Sequence, residues 1–138
     1  MLFLIQFAGL LHFVIAGTNF FAARLFRYRE NMSKVSPFVR EVFWVQNGFI
    51  VFTTVSLGAL CLIFPQELAG ASHLGRCLSG FLCLFWGARL AIQLGVYDAE
   101  AKRRFRAAHS GFTLVFLFLT LLFGAAAFSS VQLIWQGR

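Results

Sequence analysis

The sequence predicts an all-α membrane protein, a four-transmembrane-helix up-down bundle with both termini outside the cytoplasm. Three observations predict it. Four long apolar stretches, 2–23, 42–64, 77–97 and 110–134, make up most of the 138 residues, read as one integral membrane domain. The chain is 59% hydrophobic and 12% charged, where an ordinary soluble domain is about 45–50% apolar and about 25% charged. The basic residues gather in two of the short connections, which is where topology signals belong.

The first stretch, Leu2–Ala23, lacks a basic leader and is followed by arginines that stop transfer, so it reads as a span rather than a cleaved signal peptide. Its connection to the second carries Arg24, Arg27, Arg29, Lys34 and Arg40, and Ser36-Pro37 reads as an N-cap with proline at the first helical position. The second stretch, Val42–Phe64, leads into a short connection, 65–76, turned by Pro65, Gly70 and Gly75. The third, Cys77–Tyr97, is followed by an alanine-rich, helix-favouring segment, Asp98–Ala108, with Lys102, Arg103, Arg104 and Arg106. The fourth runs from Ser110 to Ile134. Each stretch is long enough to cross a hydrocarbon core of about 30 Å at about 1.5 Å per residue, and must be helical because lipid offers the backbone no partners.

Of the twelve basic residues, nine lie in the first and third connections. The positive-inside rule therefore places both in the cytoplasm and the termini outside. Tyr28, Trp44 and Tyr97 fall at one interface and Trp135 at the other, as an aromatic belt requires. A bacterial inner membrane is the expected location. The net charge of +7 belongs to these topology signals and does not point to nucleic acid as a partner.

Each stretch carries one stripe of small or polar residues at helical spacing. They run Gly9, His12, Ala16, Asn19, Ala23 in the first and Trp44, Asn47, Val51, Thr54, Gly58, Cys61 in the second. The third has Ser79, Leu82, Trp86, Arg89, Gln93, Val96, and the fourth His109, Thr113, Phe116, Thr120, Phe123, Ala127, Ser130. Lipid cannot drive helices together, so small residues and cross-helix polar contacts mark the inward faces.

Arg89 stands out among them as a charge within a stretch, Cys77–Tyr97, that has no other. Burying it in a bilayer costs at least about 2.5–3.5 kcal/mol, which marks it as a functional candidate. Counted from span midpoints, His12 lies at the centre and Arg89 two residues towards the cytoplasm, with Asn19, Asn47 and Gln93 further that way. The expectation is a cytoplasm-facing polar pocket of Arg89, His12, Gln93, Asn19, Asn47 and Trp86, holding an anionic lipid headgroup or a small amphiphile. The guanidinium fork suits such an anion. The structural counterpart is a charge pair between Arg89 and Glu41, the acid nearest in depth.

Other chemistries are less well supported. His12, His73 and His109 lie at three different depths, which argues against a bis-histidine haem. There is no Ser/His/Asp set, no paired carboxylate, no metal box and no Gly-rich phosphate loop. Cys61, Cys77 and Cys83 form no CxxC; Cys61 and Cys77 read as buried thiols more readily than as a disulfide. Two further readings stay open: an anchor subunit of a larger membrane complex, and a small enzyme or carrier for a lipid-like substrate. The expected partners are membrane lipids and other membrane subunits; the residues name no cofactor.

Overall fold

A computed structural model describes residues 1–25, 36–95 and 106–128. The described residues form four long helices and no strand: α1 Leu2–Leu25, α2 Pro37–Ile63, α3 His73–Gly95 and α4 Arg106–Phe128. All four contain a span long and apolar enough to cross a membrane, as a multi-pass membrane protein requires: Leu2–Phe21, Pro37–Ile63, His73–Gly95 and His109–Phe128.

The helix bounds differ from the apolar stretches in an instructive way. α2 begins at Pro37, five residues before Val42, with the Ser36 carbonyl accepting from the Arg40 amide at 3.1 Å. α3 begins at His73 rather than Cys77, since Ser72 is extended (φ −130°, ψ 164°) and its Oγ accepts the Gly75 amide at 3.0 Å. This is N-cap geometry, in which a side-chain oxygen takes one of the first turn's orphan donors. His73 is therefore the first residue of a helix and not a loop residue. Arg106 is helical, so this arginine belongs to α4 rather than to the connection. Apolar runs mark where a helix meets lipid; caps mark where it starts.

Between α2 and α3 the chain makes a compact π-helical turn, Glu67–Ala71, ended by Gly70 at φ 93°. That left-handed backbone suits glycine. The expectation that Gly75 also turns the chain is not met: it lies within α3, packed against the main chain of Glu67. Residues 26–35, 96–105 and 129–138 fall outside the described set, and with them the expectations for Tyr28, the 98–105 part of the Ala-rich segment, Ser130 and Trp135.

The contacts divide the chain into two compact units: Gln6–Ile63, and the chain from Phe64 onward with Met1–Ile5. In the first, α1 and α2 run antiparallel at very close range. A Cβ placed on Gly9 would meet Leu62 and Cys61, and one on Gly58 would meet His12, the Gly9 carbonyl and Phe13. In the second, α3 and α4 pair antiparallel. Gly80 faces Ala127, Cys83 faces Gly124 and Gly87 faces Thr120. The π-helical turn packs against both α3 and α4. Leu68 of that turn is fully buried, and its carbonyl accepts a hydrogen bond from Ser79 Oγ at 2.7 Å. One end of this helix pair is thereby closed by the chain's own backbone.

The inward stripes match the burial. Gly9, His12 and Ala16 of α1, Thr54, Gly58 and Cys61 of α2, Ser79, Leu82, Trp86 and Gln93 of α3, and Phe116 and Phe123 of α4 are all buried. Of the other described stripe residues, Asn19, Asn47, Val51, Arg89, His109, Thr113, Thr120 and Ala127 are half-buried and Trp44 is exposed. The exposed large side chains are Leu, Ile, Val and Phe almost throughout, a surface suited to acyl chains.

Candidate functional site

The α3–α4 pair assembles an aromatic and cationic cluster from residues that lie far apart in sequence. Trp86 of α3 and Phe116 of α4 stack at 5.3 Å between ring centroids, with 26° between planes. Phe85 meets Trp86 edge-on at 5.3 Å, and Phe112 lies 5.9 Å from Phe116. The Arg89 guanidinium lies over the Phe116 ring, 5.7 Å from its centroid. Both Trp86 and Phe116 are 2% exposed, whereas Arg89 is half-buried. The order is thus indole, phenyl, guanidinium, with the cation outermost.

Helical spacing explains the α3 side of this arrangement. Trp86, Arg89 and Gln93 recur at three and four residues, so their side chains share one face. Phe116 reaches the same place because α4 returns antiparallel. The cation–π contact is worth about 0.5–1 kcal/mol where exposed and about 2 kcal/mol or more where desolvated, which offsets only part of the cost of placing the charge in a span. Among the described residues, no carboxylate pairs with Arg89 and no side chain hydrogen-bonds to it.

Towards the C-terminal end of α3, His109 Nε2 lies 3.2 Å from the Gln93 carbonyl. A carbonyl only accepts, so Nε2 carries the proton. This bond ties the first turns of α4 to the last turn of α3. The hydroxyls of Thr113 and Thr120 donate to the carbonyls of His109 and Phe116 in their own helix, at 2.8 and 2.7 Å. They satisfy themselves locally and add no free donor to the cluster.

α3 starts four residues before the apolar stretch, at His73 after the Ser72 cap, so the helix that carries Arg89 extends further on that side than the apolar run.

Trp86, Arg89 and Gln93 are brought together in one unit. His12, Asn19, Glu41 and Asn47 belong to the other. There, His12 is fully buried on α1, and its Nδ1 donates to the Ala8 carbonyl at 2.6 Å. Asn19 and Asn47 are half-buried, and Glu41 is exposed near the start of α2. Phe116 is the cluster member that the sequence did not single out as a neighbour of Arg89. Aligning the α3 and α4 stripes head to tail would have found it.

The described cysteines are free thiols. Cys61 is buried as expected, but Cys77, expected to be buried, is exposed. Among the described residues, no three His, Cys, Asp or Glu side chains are grouped to hold a metal ion. No known family, curated protein or solved structure matches the chain.

Proposed function

We propose that the protein is a small integral membrane protein that binds the anionic headgroup of a membrane amphiphile at Arg89. The observation that carries this reading is the guanidinium set over Phe116, half-buried, with no described carboxylate to neutralise it. An ionisable group inside a span is expensive and takes a partner or a ligand. A planar fork backed by an aromatic wall leaves its donors directed at one bidentate acceptor. Gln93, one turn along the same face, supplies a further donor.

The asymmetry of the α3–α4 pair favours a ligand entering from one side. The Phe64–Ser72 turn closes the far end, whereas Arg89, Gln93 and His109 lie towards the other. With the positive-inside rule, that other end faces the cytoplasm, and the turn and both termini face out, in a bacterial inner membrane. A Gln66→Cys variant in a cysteine-free background tests the orientation: an impermeant maleimide added to intact cells labels it, and labelling only after lysis reverses the assignment.

The binding reading is tested by native mass spectrometry of protein extracted with its lipids. Wild-type protein retains an anionic amphiphile, and Arg89→Leu is extracted empty with unchanged helicity. Equal retention by both overturns the proposal.

A second reading, an anchor subunit in a larger complex, is favoured by one feature of α2. No residue from Pro37 to Ile50 is buried, and Gln46 is exposed in this part of the span. A polar side chain there is suited to a hydrogen bond with a neighbouring helix.

A further inference from the structure

We infer that the Arg89 site takes a single-chain amphiphile ending in a carboxylate, in preference to a phospholipid. The inference rests on the proposed headgroup binding and names its ligand class.

Depth is the first ground. Half of a hydrocarbon core is about 15 Å. Arg89 lies two residues, roughly 3 Å, from the middle of the apolar stretch Cys77–Tyr97, which has no other charge. The cation is thereby placed well inside the hydrocarbon boundary. Its contact with Phe116 keeps the side chain there rather than extended to the interface.

The second ground is what each ligand would bury. A phosphodiester lies in the middle of a phospholipid. Drawing it this far inward also buries the esters on one side and the headgroup substituent on the other. Buried polar groups without partners cost about 1–3 kcal/mol each on protein scales, and three of the four described aromatic walls, Phe85, Phe112 and Phe116, carry no donor for an ester. A terminal carboxylate brings only two oxygens, which one guanidinium fork satisfies together. Everything behind it is acyl chain, matched to the apolar surface.

Entry is the third ground. A carboxylic acid crosses the interface protonated and neutral, then releases its proton to water as it pairs with the arginine, because a neighbouring cation favours the charged form. A phosphodiester has no neutral form near neutral pH.

The experiment incubates the detergent-purified full chain with an equimolar mixture of palmitate, hexadecyl phosphate and dipalmitoyl phosphatidylglycerol, and reads adducts by native mass spectrometry. Palmitate is expected to exceed the phosphatidylglycerol adduct by roughly tenfold. It should be lost in Arg89→Gln, weakened in Arg89→Lys, which keeps the charge and loses the fork, and undiminished by excess acetate, which lacks the chain. A phosphatidylglycerol or hexadecyl phosphate adduct that equals or exceeds palmitate and is lost in Arg89→Gln overturns the carboxylate inference and leaves the anion site standing. Adducts indifferent to both Arg89 substitutions overturn both. Circular dichroism of each variant confirms the helices on which the comparison depends.

Discussion

The backbone carbonyl of Glu67 occupies the space that a side chain at Gly75 would need. A Cβ on Gly75 would stand 1.9 Å from that oxygen and 2.6 Å from the carbonyl carbon. This contact lets the π-helical turn lie flat on the first turn of α3, with Ser79 Oγ bonded to the Leu68 carbonyl one turn further along. Gly75→Ala is therefore expected to destabilise by about 3 kcal/mol, since backbone cannot move aside as a flexible side chain can. Alanine elsewhere in a helix gains about 0.5–1 kcal/mol over glycine. Gly95→Ala, with no described side chain or neighbouring helix within 4 Å of the added methyl, is the matched control and should be neutral or better. Thermal unfolding in detergent checks both.

The α1–α2 pair makes a parallel case in the other unit. A methyl on Gly58 would lie 2.9 Å from His12 Cβ and 3.1 Å from the Gly9 carbonyl oxygen. Gly58→Ala should cost about 1–3 kcal/mol by forcing the helices apart, while Gly17→Ala, in open space, should cost nothing. Equal melting temperatures for the two variants would refute this packing.

Ser79→Ala removes the donor to the Leu68 carbonyl. The expected loss is about 1–2 kcal/mol, because the acceptor is left in a buried turn. Hydrogen exchange in the Phe64–Ser72 turn should accelerate, while exchange in α1 stays unchanged. No acceleration would mean that the turn is held by Leu68 burial alone.

Arg89→Leu distinguishes a ligand site from a structural pair. If the guanidinium answers a ligand, its removal relieves a desolvated charge, and thermal stability in ligand-free detergent holds or rises. A drop larger than the loss of the Phe116 contact accounts for, reproduced by Glu41→Gln, would identify a structural pair instead. Trp86→Ala in turn removes the packed support of Phe116. It should cost about 3–5 kcal/mol as a large-to-small core substitution.

The sequence by itself determined the helical membrane class, the four spans and the inward stripes. The physical reason is that lipid admits no unpaired backbone, so an apolar stretch of sufficient length has one solution, and a stripe of small and polar residues can face only other helices. His12, Thr54, Gly58, Ser79 and Gln93 were identified as inward in this way and are buried. The tertiary structure alone decided that Phe116 lies under Arg89, that His109 bonds the Gln93 carbonyl, and that Gly75 is a contact rather than a turn. Each of these joins residues on separate elements, so each depends on how two elements are aligned against one another. That alignment is set by where glycine, alanine and cysteine let backbones approach, at Gly80, Cys83, Gly87, Gly124 and Ala127, and no periodicity within a single helix encodes it.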